Sequence, residues 1–206
     1  MKKYQKRSKK NCMSKNLIKT EEEIKILRKS GIITAKALKV AIENAKPGIT
    51  LLELDKIAER SIIKNGGEFS FKTVPGYNFT TCLTLNDEVV HGIPRDIKLK
   101  SGDILSIDVG ALFQGWHTDA AWTVIVKEPK EPDVSFSEKM KFLEAGERTL
   151  WEAVGKACEG KKIGDISASI QQNIENAGYN VVRNFSGHGI GYCGRRYQFE
   201  SGQRKL

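Results

Sequence analysis

Four residues carry chemistry that the rest of the chain must position. They are Asp108 and Asp119, each inside an apolar stretch, His188 in the frame Gly187-His188-Gly189-Ile190-Gly191, and His91 just ahead of Gly92-Ile93-Pro94. Carboxylates and imidazoles bind divalent cations and move protons near neutral pH. The run Ile104-Leu105-Ser106-Ile107-Asp108-Val109-Gly110, a short polar break, and Asp119-Ala120-Ala121-Trp122-Thr123-Val124-Ile125-Val126 read as strand, turn, strand. Closing this hairpin between Phe113 and Gln114 sets Asp108 directly opposite Asp119. Like charges facing across a ladder repel, so the pair calls for a shared proton or a cation, and a divalent metal satisfies both carboxylates at once.

The strand period sorts the other hairpin residues. Ser106, Gly110, Ala121 and Thr123 share the Asp side, small enough to line a cleft, while Leu105, Ile107, Val109, Trp122, Val124 and Val126 face the other way, toward helices. His117 is expected to point away from the Asp side or to cap the turn. Ahead of the hairpin, residues 80–85 read as a strand, and Val89-Val90-His91 as a strand running into a Gly-Ile-Pro turn.

Helices flank this region. Thr20 and Glu23 have the form of a capping box, and Ile24, Leu27, Gly31, Ala35, Leu38 and Ile42 recur at helical spacing until Lys46-Pro47-Gly48 stops them. A second helix covers Leu51 to Lys64. Ser135 and Glu138 suggest another capping box, opening a helix that ends before Gly160, and a shorter one carries Ile163, Ile166, Ile170 and Ile174. The two helix pairs match at one offset of 112 positions: Leu38 with Leu150, Ile42 with Val154, Gly48 with Gly160, Leu54 with Ile166, Ile62 with Ile174, Gly66 with Gly178. The chain reads as a duplicated helix-helix-strand unit with a groove where the halves meet, and the paired glycines carry most of that reading.

At 206 residues the chain is long enough for one sizeable domain, and no apolar run reaches membrane-spanning length. Its net charge of +9 is unevenly spread: +8 in residues 1–20, +3 in residues 192–206 and −2 between them. The basicity therefore belongs to the ends, and the cleft region is slightly acidic. Residues 1–19 read as a basic, disordered tail with neither secretory nor transit character, and Met13 is an alternative start. Four widely spaced cysteines, Cys12, Cys82, Cys158 and Cys193, suggest no disulfide framework or zinc motif and suit a reducing cytoplasm.

The ordered motifs Asn86-Asp87-Glu88-Val89-Val90-His91-Gly92-Ile93-Pro94, Gly102-Asp103-Ile104-Leu105-Ser106-Ile107-Asp108-Val109, Gly115-Trp116-His117-Thr118-Asp119 and Gly187-His188-Gly189-Ile190-Gly191 closely resemble the bacterial type I methionine aminopeptidases over residues 14–191. The resemblance implies a pita-bread fold of the α/β (α+β) class: two pseudo-symmetric halves, an antiparallel-rich sheet backed by helices, and a catalytic domain at residues 20–191. It implies two divalent ions, Co, Mn or Fe(II), that acidify a bridging water, polarise the scissile carbonyl and bind the free α-amine of an N-terminal methionine on a nascent polypeptide. By position, Asp108 would bind one ion, Asp119 would bridge both and His188 would bind the other. His91 would contact the substrate near the scissile amide and aid proton transfer, and Tyr77 would line the methionine pocket. A cytoplasmic monomer is expected.

The pattern breaks after Gly191. The family's second histidine and two later glutamates have no counterpart, and residues 192–206, Glu200 included, read as an aberrant basic tail of the kind a frameshift leaves, so the C-terminal part of the fold is missing and weak or absent activity follows. Taken singly, Asp108, Asp119 and His188 serve equally as strand-end or turn residues, while His91 alone reads as a structural turn residue before a catalytic one and Tyr77 as packing before pocket. A non-catalytic pita-bread module touching RNA or the ribosome through the basic ends is the alternative function. Prolidases and aminopeptidase P are disfavoured by the short amino-terminal region.

Overall fold

The computed structural model describes residues 18–192 and the two-residue strand at 197–198. The basic residues 1–17 and most of 193–206, with Met13, Cys12, Cys193 and Glu200, lie outside the described residues. Helix α1 spans Glu21–Asn44 and α2 spans Leu51–Lys64, each opened by a capping box, Thr20 with Glu23 and Thr50 with Glu53. Strands β1 (Glu68–Phe69), β2 (Thr81–Leu85), β3 (Ile104–Phe113) and β4 (Trp116–Ile125) form one antiparallel sheet. β3 lies at its centre, with β1 and β2 on one side and β4 on the other. Helices α3 (Ser137–Gly155) and α4 (Ile163–Asn176) follow, and β5 (His188–Gly189) pairs with β6 (Tyr197–Gln198).

The apolar core lies between α1, α2 and one face of the sheet. Leu51, Leu54 and Ile62 meet Leu83, Leu105, Ile107 and Val109, all with no exposed surface. Each such side chain contributes about 1.5–3 kcal/mol of burial. Asp55 is the one acid buried in this interface, and its Oδ1 accepts hydrogen bonds from Thr80 N (2.9 Å), Thr81 N (2.8 Å) and Thr81 Oγ1 (2.7 Å). Burial pushes its carboxyl above the usual aspartate range, against the pull of those donors. The three bonds fasten the first residue of β2 to α2.

Glycines bear out the duplication. Gly48 and Gly160 have φ of 92° and 82°, in the turns between the paired helices, and Gly66 and Gly178 have 78° and 84°, just past the C-caps of α2 and α4, so both matched pairs adopt the left-handed backbone. The two halves differ in cover. Ala58 is fully buried under the sheet whereas its counterpart Ile170 is 38% exposed, and Leu150 and Val154 of α3 are exposed too.

Three local readings need correction. The hairpin pairs Phe113 with Trp116, so Asp108 faces Ala121 and Asp119 faces Gly110. Adjacent residues cannot oppose one another across a ladder, and Gln114-Gly115, with φ of 51° and 84°, supplies the two-residue primed turn that a tight hairpin requires. The shift preserves parity, and both carboxylates stay on one face with Ser106 and Thr123, whose hydroxyls lie 2.7 Å apart. Second, Ser135 and Glu138 form no capping box: Asp133–Phe136 is a 3-10 turn, and α3 opens at Ser137 without a side-chain cap. Third, Val89-Val90-His91 is not a strand. It belongs to an irregular loop, because Glu88 turns back on Leu85 N (2.8 Å) and Arg95 (2.5 Å). Among the described residues no helix is long and apolar enough to cross a membrane.

Asp55→Ala leaves three buried donors unsatisfied, and the expected loss is about 2–4 kcal/mol of unfolding free energy, read from chemical denaturation.

Candidate metal and substrate site

Asp108 projects from the middle of β3, and opposite it across the β2 ladder stands Cys82. Asp119 projects from β4 on the same face, two positions further along. Diagonal neighbours in a ladder have Cβ atoms roughly 7 Å apart, where two carboxylates repel by about 2 kcal/mol at an effective dielectric near 20. That is tolerable at a half-buried site and is relieved by a cation.

The glycine-framed imidazole arrives from far along the chain. Residue 191 accepts a hydrogen bond from His117 N at 3.0 Å, Tyr192 bridges to Trp116, and their rings meet edge to face at 5.5 Å. These contacts hold the glycine-rich segment against the start of β4. His188 Nε2 lies 3.6 Å from Asp119 Oδ2, with side-chain exposures of 26% and 18%. His188 Nδ1 is 3.1 Å from the carbonyl of Gly189, and an Nδ1–H donated there presents the Nε2 lone pair for coordination.

Two donor atoms each about 2.1 Å from one ion can be up to roughly 4 Å apart, so the Asp119–His188 pair has ligand spacing. Among the described residues no group of three or more His, Cys, Asp or Glu side chains closes around a single point. The donor types therefore suit a hard or borderline divalent ion, with two donors at ligand distance from each other and Asp108 on the same face.

His91 and Asp108 line one groove of about 750 Å³, together with Thr84 and Ser106 of the sheet and Met140 and Leu143 of α3; Asp119 and His188 are not part of its lining. His91 is exposed and has φ of 58°. A left-handed histidine persists only where the surroundings hold it. Here Leu83 N donates to Gly92 O at 2.7 Å, and Gly92 N donates to Thr84 Oγ1 at 3.1 Å. Gly92 admits no side chain, since a Cβ there would lie 2.2 Å from Leu83 O.

Tyr77 is half-buried beside this group. Its hydroxyl donates to Thr81 O at 2.6 Å and lies 3.3 Å from Cys82 Sγ. Burial, then the Cys82 contact, pushes the phenol well above the usual tyrosine range, so Tyr77 stays protonated at every physiological pH. Sequence reasoning missed Cys82 as a neighbour of Asp108, because the register of β2 on β3 has no local signal. It also misplaced His117. That residue shares the parity of Asp119, lies on the Asp face, and its Nδ1 is 2.8 Å from Ser70 Oγ.

Gly92→Ala must displace the His91 loop from β2. The Leu83 amide is expected to lose at least tenfold in hydrogen-exchange protection, with a stability loss of about 2 kcal/mol.

The model of metallopeptidase family M24 matches residues 25–203. Methionine aminopeptidase of Clostridium perfringens is 41% identical over 175 residues, covering 85% of this chain and 68% of that protein. Methionine aminopeptidase 1 of Bacillus subtilis matches with the same identity and the same coverage, 41%, 85% and 68%. The crystal structure of methionine aminopeptidase from Thermotoga maritima superposes with a TM-score of 0.80 at 34% identity, covering 92% of this chain and 76% of that one. The mixed helix-sheet architecture is thus the pita-bread fold of these proteins, and the homology makes the chain a metallo-aminopeptidase. It belongs to metallopeptidase family M24, among the methionine aminopeptidases.

Proposed function

We propose that this chain acts on the N-terminal methionine of nascent polypeptides in the cytoplasm, with Asp108, Asp119 and His188 as donors to divalent cations, Co, Mn or Fe(II). The observation that carries this reading is the approach of His188 Nε2 to Asp119 Oδ2, 3.6 Å, on the face of the hairpin that also bears Asp108. A bound divalent cation supplies Lewis-acid activation of water and of the scissile carbonyl. The protein's own groups do the rest. The exposed His91 imidazole, across the groove from α3, contacts the peptide near the scissile amide and carries a proton to the leaving nitrogen. Tyr77, neutral and half-buried, forms an uncharged wall suited to a thioether side chain.

Among the described residues, Asp108, Asp119 and His188 are the side chains that would hold a divalent ion. Titration of the full chain with Mn²⁺ is expected to show one dominant site, and Asp119→Ala to weaken it by about tenfold or more. Methionine release from a Met-Ala-Ser peptide with added Mn²⁺ or Co²⁺ is the expected activity, and no release above a metal-only control would overturn it. His91→Ala should lower that rate about 100-fold with Mn²⁺ affinity unchanged. The charge of +8 in residues 1–20 favours a second reading, a module that contacts RNA or the ribosome. Salt-dependent RNA binding without Mn²⁺ uptake would support it over the enzyme.

A further inference from the structure

Behind Asp119, on the face of the hairpin turned away from the groove, lies a cluster of buried hydroxyls. Ser30 and Thr34, one turn apart on α1, are 0% and 2% exposed, and Thr118 of β4 is 6% exposed. Ser30 Oγ lies 3.2 Å from Ala111 O and 3.1 Å from Trp116 O and shares a hydrogen bond of 2.8 Å with Thr118 Oγ1. Thr34 Oγ1 shares another, also 2.8 Å, with Thr118 Oγ1 and accepts from Ala111 N at 3.1 Å. These partners sit on both strands of the hairpin, and Ala111 and Thr118 are ladder partners one step from the pair Gly110 and Asp119.

The turn beyond them is a weak determinant of register. Gln114 sits at φ 51° in the first position of a primed turn, where Asn, Asp or Gly is favoured. A neighbouring two-residue loop, Gly115-Trp116, would put glycine first and pair Gln114 with His117. In that slipped register Thr118 would face Phe113, Asp119 would face Leu112, and Ala111 and Thr118 would no longer present their polar groups side by side to the two helix hydroxyls. The core face alone does not exclude the slip, because a shift of two preserves parity. The helix does exclude it, because its hydroxyls match one alignment only.

We infer that Ser30 and Thr34 are positioning residues: through Thr118 and Ala111 they select the hairpin register and so the spacing of Asp108 and Asp119. The register claim stands on the hydrogen bonds alone, and its consequence for metal rests on the function proposed above.

The test compares the full chain with Ser30→Ala/Thr34→Val, with Ser30→Ala alone should the double variant not fold, and with the hydroxyl-retaining Thr34→Ser. Cross-strand nuclear Overhauser contacts between Gly110 and Asp119 report register, and Mn²⁺ titration reports the site. The hydroxyl-deleted variant is expected to lose those contacts or add contacts from Asp119 to Leu112, and to bind Mn²⁺ at least tenfold more weakly. Thr34→Ser should stay within twofold on both readouts. Undiminished Gly110–Asp119 contacts in the hydroxyl-deleted variant would overturn the inference. If the unsubstituted chain takes up no Mn²⁺, the metal reading fails by itself and the nuclear Overhauser comparison still judges the clamp.

Discussion

Two carboxylates on one face of a two-stranded ladder, two positions out of line, are the constraint around which this molecule is arranged. Their mutual repulsion disfavours the hairpin that carries them, and a cation held between them relieves it. What holds the strands in place lies on the opposite face. Leu105, Ile107 and Val109 are fully buried against α1 and α2, and the buried hydroxyls of Ser30 and Thr34 tie both strands to the first helix. The sheet thus separates two tasks by parity: apolar side chains on one face supply stability, and small polar and acidic side chains on the other supply a site.

The residues around the carboxylates are held under local constraint. His91 keeps a left-handed backbone because Gly92 is clamped onto β2 with no room for a Cβ, and the Glu88–Arg95 pair braces the same loop. Backbone strain sustained next to a groove is typical of positions whose side chain must point where relaxed geometry would not send it. The His188 segment is positioned differently, by short-range pairing of residues 191 and 192 with the start of β4. The imidazole therefore reaches Asp119 through a few backbone contacts, and its geometry depends on the first turn of the hairpin being where it is.

Duplication explains the supporting helices. The matched glycines adopt the same left-handed conformation in both halves, which is stronger support for a repeated unit than matched apolar residues, since any two amphipathic helices share those. The halves are not equivalent in cover, as Ala58 and Ile170 show. The candidate donors Asp108 and Asp119 and the His91 loop lie in the first half, and His188 lies beyond the second helix pair.

Much was legible in the sequence because it depends on local periods. Helix α1 follows from its capping box and apolar spacing and α2 from its span between Gly48 and Gly66, the Asp-bearing hairpin from strand alternation, and the repeat from glycines at a fixed offset. Parity put Asp108 and Asp119 on one face even though the assumed pairing was wrong, because a slip of two leaves every side chain on its own side. The tertiary structure alone decided the register itself, the seat of His117 beside Ser70, the placement of Cys82 opposite Asp108, and the irregular path of the His91 loop. The first three are set by contacts between residues dozens of positions apart, as from Ser30 to Thr118 or from Asp55 to Thr81, and the loop by shorter-range bonds such as that from Arg95 to Glu88; no sequence period encodes which partner a polar group will find.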